Sequence, residues 1–237
     1  MKGERFVTAA ERAKQVMTNE LFGDSSKISS KNFKRSTNNI KIGEICEVKG
    51  GLQKTQERAP KDNPARYLTV IHVQRNYINF DEPRYFEVTH KELEDLRLLP
   101  GDVLTVEGNG NKNEVGRTAI FRGELQDCIH QNHVIRIRPD KAKLNSDFLN
   151  YYLNSSFGQN VILKQSMSTS GLYTLSVGRV KNLEIPYPPL PEQRQIAGIL
   201  TRCDETIAAA RANVAAAKAL KMKMINEMLN PEKSNGP

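Results

Sequence analysis

A segment rich in glycine and asparagine, GNGNKNEVG at residues 108–116, has the composition of a phosphate-binding loop. A P-loop ends in Gly-Lys-Ser or Gly-Lys-Thr, but here Arg117 follows Gly116. A dinucleotide-binding fingerprint opens a helix, whereas the patterns on both sides of this segment predict strands. The sequence therefore argues against nucleotide binding. A polar surface loop is one interpretation, and its amide and ammonium groups also suit contacts with base edges and phosphates.

A second cluster of reactive side chains places Cys128, His130 and His133 in the segment CIHQNH. The nearest further cysteine, Cys46, is distant in sequence, and this spacing does not match tetrahedral zinc sites. We therefore predict no metal site and interpret the segment as polar groups at the start of a strand. The target-base motif of amino-methyltransferases, a spaced set of nuclease acids and a nucleophile elbow are also missing from the sequence, which predicts that the chain is not itself an enzyme.

The chain has 237 residues, a formal net charge of +8 and a sequence pI of about 9.4. A basic excess of this size favours a polyanionic partner, nucleic acid ahead of a membrane surface, although a protein can also be basic without such a partner. Three widely spaced cysteines without a CxxC pair predict a reducing cytoplasm. The sequence has no apolar run long enough for a membrane span, and the N-terminal residues lack the apolar core of a secretory signal.

The elements that must position these groups begin with a predicted helix over residues 8–22, in which Thr8 and Glu11 form a capping box. A segment rich in serine, asparagine and lysine follows and predicts a linker. Residues 40–140 predict mostly strands, with a bulge near Gly43.

The predicted strand HVIRIRP alternates in character, so that Arg136 and Arg138 share one face. This face either is solvated or contacts phosphates. Residues 145–165 then predict a helix capped by Asn145 or Ser146.

A long helix is predicted to begin at Pro191, because the fixed φ of proline suits the first helical position, and to extend to Leu229 over roughly 58 Å. Apolar or small residues recur along it at alternating spacings of four and three, which is typical of a heptad seam. The seam residues are Ile196, Leu200, Cys203, Ile207, Ala210, Val214 and Ala217. We expect a partner helix to cover this seam; packing against the chain's own domain is the alternative.

Taken together, these segments resemble the specificity subunit (S, or HsdS) of type I restriction–modification systems. The run LEIPYPPLPEQRQIAGIL is similar to the strand–polyproline–EQ–helix signature where a target recognition domain of that family joins its spacer helix. LLPGDVLTVEGNGNKNEVGRTAIF is similar to the family's GD-strand, polar loop, G-R/K-strand segment. IHQNHVIRIRP and NSDFLNYYLNS follow in the expected order, so the resemblance covers about residues 40–229.

The resemblance implies an α+β fold, in which a mostly β target recognition domain with short helices is followed by a long coiled-coil-type spacer helix. The expected divisions are a short N-terminal helix and linker at residues 1–36, the DNA-binding recognition domain at 37–190, the spacer and dimerisation helix at 191–230 and a tail at 231–237.

The resemblance also implies a noncatalytic subunit that reads DNA sequence for a complex. In this family the methyltransferase (M) subunits bind S-adenosylmethionine and methylate adenine, and a restriction (R) motor subunit translocates and cuts DNA. We expect no cofactor on this chain itself. A full-length specificity subunit has two recognition domains and two spacer helices, so this chain resembles a half-sized form that reads one half-site of double-stranded DNA.

Two copies would restore the twofold symmetry of the full subunit, so we expect a homodimer through the long helix that reads an interrupted palindrome. Two alternatives stay open. The chain is a fragment of a longer subunit, or it is a helix-mediated interaction protein or decoy that binds the methyltransferase without reading DNA sequence.

Base readout is expected from loop side chains that carry hydrogen-bonding or ammonium groups. The candidates are Gln53, Lys54, Asn109, Asn111, Lys112, Gln131, Asn132, Ser168, Thr169 and Tyr173. The candidates for phosphate contacts are Arg117, Arg136, Arg138, Lys164 and Arg179. Each of these side chains fits a solvated surface equally well.

Overall fold

The computed structural model describes residues 2–23, 38–169 and 171–229. The predicted tail and most of the predicted linker therefore lie outside the described residues. The chain divides into two compact units, a larger one of Phe22–Ala197 and a smaller one that combines Met1–Leu21 with Gly198–Pro237.

The described residues form helices and short strands in alternation. The helices are α1 (Lys2–Phe22), α2 (Ile42–Ile45), α3 (His90–Leu96), α4 (Ser146–Asn154), α5 (Ser156–Gln165), α6 (Val177–Lys181) and α7 (Leu190–Leu229). The strands are β1 (Asn39–Lys41), β2 (Cys46–Gly50), β3 (Pro64–Leu68), β4 (Tyr85–Glu87), β5 (Asp102–Val106), β6 (Gly108–Asn109), β7 (Thr118–Phe121), β8 (Ile129–His130), β9 (Val134–Pro139), β10 (Met167–Thr169), β11 (Leu172–Thr174) and β12 (Glu184–Pro186). This mixture confirms the predicted α+β fold class.

A four-stranded antiparallel sheet with the order β2-β9-β5-β7 carries much of the core of the larger unit. In its central pair Val103 lies opposite Ile137, and Val106 lies opposite Val134. Every residue of β5 and β7 is buried. Such strands are covered on both faces, which explains why they are nearly continuous apolar runs rather than alternating ones.

A second sheet, β4-β3-β8, combines an antiparallel and a parallel pairing. The rings of Tyr67 and Phe86 stack within it with their centroids 3.7 Å apart, and both residues are buried. A short pairing of β1 with β12 places Ile40 opposite Ile185.

The predicted bulged strand IKIGEICEV is interrupted instead by the one-turn helix α2, so the bulge near Gly43 was wrong. Ile42 and Ile45 are both buried, which is a helical spacing of three rather than the spacing of two in a strand. A Cβ atom on Gly43 would lie 2.9 Å from the Cβ of Lys181, so the residue also permits a close approach of α6.

The predicted helix over residues 145–165 is divided into α4 and α5. The side chain of Asn145 caps α4 by accepting a hydrogen bond from the Phe148 amide at 2.8 Å, as predicted. Ser155 then ends α4 and caps α5. A Cβ on Gly158 would lie 2.1 Å from the Tyr152 carbonyl oxygen, so this bend requires glycine.

The predicted long helix is confirmed as α7, and its first turn explains the PLPEQ run. Gln193 has no exposed surface. Its Oε1 accepts from the Asn145 amide at 2.9 Å, while its Nε2 donates to the carbonyl oxygens of Lys143 and Pro188 at 3.1 and 2.9 Å. This one amide ties the polyproline segment to the loop before α4, and buried amides that make all these hydrogen bonds fix a unique local arrangement.

Helix α1 begins at Lys2, well before the predicted start at Thr8. Thr8 lies inside the helix, where its hydroxyl donates to the Glu4 carbonyl oxygen at 3.1 Å, so the predicted capping box was wrong. Across the described residues, every helix is either too short or too polar to cross a membrane.

Candidate nucleic-acid interface

Three predicted base-reading residues from two separate segments of the chain meet in a small sheet with the order β10-β11-β6. Tyr173 lies opposite Ser168 on one side and opposite Asn109 on the other. Directly opposed residues of neighbouring strands point to the same face, so the three side chains form one row across the sheet, which we call the reading row. Ser168 is exposed, and the other two are half-buried. Thr169 lies in the same hairpin, opposite Leu172; its side chain is outside the described part of the chain.

The loop that follows β6 is shaped by its own asparagines. The Oδ1 of Asn109 accepts from the Asn111 amide at 2.9 Å, and the Oδ1 of Asn111 accepts from the Asn113 amide at 3.0 Å. These bonds leave the Nδ2 groups of Asn109 and Asn111 to donate outward. A bidentate contact with adenine uses the oxygen and the nitrogen of one amide, and in this conformation each of these oxygens already accepts one hydrogen bond within the loop. Lys112 lies between them and is exposed.

A second group of predicted residues lies where residues 52–54 run beside residues 131 and 132. Leu52 forms a parallel bridge with Gln131, and the Asn132 amide donates to the Leu52 carbonyl oxygen at 2.8 Å. This pairing brings the exposed Gln53 and Lys54 next to the half-buried Gln131 and Asn132.

The second group is joined to the small sheet through Glu107 and His133. The Glu107 amide donates to the His133 carbonyl oxygen at 3.0 Å, and the His133 Nδ1 lies 3.0 Å from the Glu107 Oε2. On its other side, the Glu107 carbonyl oxygen accepts from the Leu175 amide at 2.7 Å. Most of the predicted base-reading residues therefore belong to one continuous region of the larger unit.

Two predicted phosphate-contacting residues flank the start of β10. Lys164 is exposed on α5. The half-buried Arg179 on α6 donates a hydrogen bond to the Gln165 carbonyl oxygen. Arg179 therefore holds the end of α5, with part of its guanidinium committed to the protein.

The arginine face predicted on β9 is not a phosphate-facing surface. Arg136 has no exposed surface and donates to the Glu47 carboxylate at 2.6 Å and to the Arg97 carbonyl oxygen at 3.2 Å; burial lowers its pKa. Arg138 donates to both carboxylate oxygens of Asp102 at 2.7 and 2.8 Å, and this hydrogen bonding raises the pKa of Arg138. Both guanidiniums are held by carboxylates on neighbouring strands, so their expected role changes from DNA contact to ordering the sheet.

Arg117 requires the same correction. It is 8% exposed, and its guanidinium donates to the carbonyl oxygens of Val70 and Val73, both at 2.7 Å. A third contact joins it to the Glu114 carboxylate at 3.1 Å. Its donors point into the protein, so we exclude it from the proposed DNA surface.

The cysteine and histidines of CIHQNH point to separate partners. Burial raises the pKa of the Cys128 thiol to about 12. His130 is buried, its Nδ1 pairs with the Val134 carbonyl oxygen at 2.7 Å, and burial lowers its pKa to about 4. His133 pairs with Glu107 on the surface. Within the described ranges no group of three or more His, Cys, Asp or Glu residues is arranged to hold a metal ion.

The predicted seam of α7 is covered in part by α1 of the same chain. Within the smaller unit the two helices run antiparallel: the Cys203 Sγ lies 3.7 Å from the Met17 Sδ, and a Cβ on Gly3 would lie 2.7 Å from a Val214 methyl. Ion pairs between Lys14 and Asp204 at 2.5 Å, Glu11 and Arg211 at 2.5 Å, and Glu4 and Lys218 at 2.7 Å border this contact.

The exposure of the seam residues differs along α7. Ile196, Leu200, Ile207 and Ala210 are buried, Cys203 and Val214 are half-buried, and Ala217 is exposed. The seam is therefore an interface as predicted, but over residues 203–214 the helix that contacts it belongs to this chain.

The comparison with known families decides the identity of the fold. The family model described as the type I restriction modification DNA specificity domain matches residues 35–216. The chain belongs to this family. The resemblance that the sequence motifs predicted is thus confirmed.

Two curated specificity subunits are similar to this chain over part of their length. The chain is 26% identical over 214 residues to a protein of Methanocaldococcus jannaschii assigned as the specificity subunit of the type I restriction enzyme MjaX, a match that covers 83% of this chain and 48% of that protein. It is 24% identical over 153 residues to the EcoKI specificity subunit of Escherichia coli, covering 64% of this chain and 32% of that subunit. The chain thus spans about half the length, or less, of these curated relatives.

A solved structure shows the same fold. The HsdS subunit of Thermoanaerobacter tengcongensis superposes with a TM-score of 0.63 at 20% identity, over 95% of this chain and 52% of that one.

Sequence reasoning missed one feature of this specificity-family chain that had a readable signal. Helix α1 carries its own heptad seam at alternating spacings of four and three: Gly3, Val7, Ala10, Lys14, Met17 and Leu21. The predicted start at Thr8 hid the first part of this pattern. Asn150 and Asn154, polar residues four apart on α4, are a further feature that sequence reasoning missed, and they contribute to positioning the polar loop.

Proposed function

We propose that this chain is the noncatalytic part of a type I restriction–modification complex that reads DNA sequence, one half-site per chain. The observation that carries the proposal is the reading row. Three side chains with hydrogen-bonding groups, Asn109, Tyr173 and Ser168, stand side by side on one partly exposed face. A two-stranded β-ribbon such as the hairpin of β10 and β11 fits the major groove, where each base pair presents a distinct set of donors and acceptors.

The exposed lysines near this row support the same proposal. Lys112 lies in the loop directly after β6, and Lys164 lies on the helix before β10. Lysine ammonium groups beside a base-reading element hold the phosphate backbone without reading sequence. We therefore propose these residues, with Lys54, as phosphate contacts, and the reading row with Gln53, Asn111, Gln131 and Asn132 as base contacts.

The proposed partners follow from family membership and from the length of the chain. We propose that it docks a methyltransferase subunit, that S-adenosylmethionine binds in that partner, and that the restriction subunit joins through the complex. The three cysteines are free thiols, which fits the proposed cytoplasmic location of such a complex.

We propose further that two chains pair through the end of α7, so that two reading rows address the two halves of an interrupted palindrome. The Glu4–Lys218 pair is the last ion pair between α1 and α7 along the described part of α7. Five large apolar side chains beyond it are exposed by 50–77%, namely Leu220, Met222, Met224, Met228 and Leu229, whereas Ile225 is half-buried. Met224 and Met228 continue the heptad spacing of the seam, which favours a helix of a second copy as their partner.

Pairing is tested by light scattering. Met224→Lys with Met228→Lys is expected to give a monomer, whereas Met222→Lys, equally exposed but outside the heptad spacing, is expected to leave the pair intact. A monomeric wild-type chain would reject this interface.

The reading function is tested by expressing the chain with a type I methyltransferase subunit and mapping methylated adenines across the host DNA. We expect methylation within one interrupted palindrome. Tyr173→Ala is expected to abolish or alter that pattern, while Tyr85→Ala, an exposed tyrosine outside the reading row, leaves it unchanged. A chain that copurifies with the methyltransferase but directs no site-specific methylation would be a decoy rather than a reader.

A further inference from the structure

We propose that Arg75, Asn76 and Asn154 are positioning residues that hold the polar loop of residues 110–116 in the shape required to read bases. This inference rests on the proposed function and deepens it. None of the three residues is among the predicted DNA contacts; all three act through the loop.

Arg75 holds the middle of the loop. Its Nη2 donates to the Asn113 carbonyl oxygen at 2.5 Å, and its Nη1 donates to the Asn154 Oδ1 at 3.1 Å. At the end of the loop, Arg117 donates to the carbonyl oxygens of Val70 and Val73. Two arginines from opposite directions therefore tie the loop to the segment of residues 70–76.

Asn154 fixes the exit of the loop into β7. This strand is the open edge of the four-stranded sheet, so part of its backbone lacks a neighbouring strand. The side-chain amide of Asn154 supplies that pairing: its Oδ1 accepts from the Thr118 amide at 3.1 Å, and its Nδ2 donates to the Thr118 carbonyl oxygen at 2.9 Å. One side chain thus acts as a short piece of strand at the first residue of β7.

Asn76 completes the network from a conformation that asparagine tolerates better than most residues. Its φ is 70°, in the left-handed region. From there its Oδ1 accepts from the Asn150 Nδ2 at 3.0 Å and the Asn154 Nδ2 at 2.8 Å, while its amide donates to the Thr118 carbonyl oxygen at 2.8 Å. These hydrogen bonds stabilise Asn76 in a backbone conformation that would otherwise be unfavourable.

The network matters because base contacts and phosphate contacts differ in their tolerance to displacement. A lysine on a flexible stem follows a phosphate as the loop moves, whereas a hydrogen bond to a base edge requires the loop to be held to within a fraction of an ångström. Loosening the loop should therefore reduce discrimination between sequences and leave general DNA affinity nearly unchanged.

The test uses the full chain with its methyltransferase subunit and a pool of random-sequence duplexes. Wild type is expected to enrich one motif. Affinity for that motif and for a scrambled duplex is then measured for Arg75→Lys and Asn76→Gly. Lysine keeps the charge of Arg75 but lacks its rigid planar fork, so it does not hold the two acceptors in the same geometry, and glycine accepts a φ of 70° but lacks the Oδ1. We expect each variant to lose about tenfold in discrimination, the effect of one misplaced base contact, with scrambled-duplex affinity within about twofold of wild type.

Two comparisons make the outcome decisive. Arg84→Lys, the same substitution at an arginine that pairs with Glu82 and whose side chain is 41% exposed, is expected to change neither affinity. The positioning role is overturned if both variants discriminate between the motif and the scrambled duplex as well as wild type does. It is also overturned if they lose affinity for the two duplexes equally. Thermal unfolding of Asn76→Gly near the wild-type midpoint shows that the loss does not come from unfolding. A wild-type complex that enriches no motif rejects the proposed function itself, which is a separate result.

Discussion

Lys112 offers the sharpest test of where the chain touches the DNA backbone. It is exposed in the loop beside the reading row, so replacing it with glutamine removes one charge without disturbing any described contact. Each phosphate contact contributes about 0.9 to the slope of log affinity against log salt concentration. Loss of one contact therefore weakens binding about eightfold at about 0.1 M salt and only about 3.5-fold at about 0.25 M salt.

The assay is a titration of a fluorescent duplex by the full chain with its methyltransferase subunit, repeated over this range of salt concentration. Lys91→Gln, an exposed lysine on α3 outside the proposed surface, is the matched control. A slope for Lys112→Gln equal to that of wild type, or an equal decrease in the Lys91→Gln control, would refute the assignment of Lys112 to a phosphate.

Three further substitutions or conditions test the fold. Arg136→Met is expected to lower the free energy of unfolding by about 1 to 3 kcal/mol, because two carbonyl oxygens lose a buried donor while the half-exposed Glu47 stays solvated. The salt slope of DNA binding should stay unchanged; urea unfolding and the same titration check both parts. Burial lowers the pKa of His130 in the folded state from 6.5 to about 4. The contribution of the neutral imidazole to the free energy of unfolding is therefore complete above about pH 6.5, and roughly 3 kcal/mol is lost as the pH falls toward 4. Urea unfolding of His130→Asn across this pH range should lack that part of the decrease, and an identical decrease in the variant would contradict the assignment. Met17→Glu should release α1 and speed hydrogen exchange of its amides, whereas Val16→Glu, at a residue 55% exposed, should not; equal protection in both variants would mean that the packing face is misassigned.

The strand that carries the arginines shows what local pattern reading can and cannot supply. Alternation in HVIRIRP predicted the strand, and the structure places it at Val134–Pro139. The contacts of Arg136 and Arg138 depend on Glu47 and Asp102, which lie on the neighbouring strands β2 and β5 and are distant in sequence. Alternation along a strand predicts which face of the sheet a residue occupies. It does not predict whether a carboxylate lies on the neighbouring strand.

The long helices show a different gap. The heptad spacing of α7 predicted a helical interface, and the helix ends within one residue of each predicted boundary. Over residues 203–214 the seam contacts α1 of the same chain, a contact that the predicted start of α1 at Thr8 concealed because it left out Gly3 and Val7. A heptad seam on one helix predicts that another helix packs against it. Whether that helix belongs to the same chain becomes visible only when every seam in the sequence has been identified.

The small sheet was beyond sequence reasoning, because its three strands are two or three residues long and the hairpin of β10 and β11 pairs with the distant strand β6. The residue types alone predicted polar loops near residues 109 and 168. Their alignment in one row arises from the pairing of Tyr173 with both neighbours, a contact that no local periodicity encodes.

The correction of the arginines also changes the expected strength of DNA binding. Arg117, Arg136 and Arg138 each pair with a carboxylate, so these charges do little to attract a duplex. Phosphate contacts from Lys54, Lys112 and Lys164 alone predict a salt slope of about −2.7 for one chain and about −5.4 for a pair. Between about 50 and 200 mM salt, the affinity of one chain should then fall about 40-fold and that of a pair more than a thousandfold. The same titration, run on wild type and on the monomeric Met224→Lys, Met228→Lys variant, measures both slopes. Equal slopes would mean that only one reading row touches the DNA at a time, and pairing would then have no role in recognition.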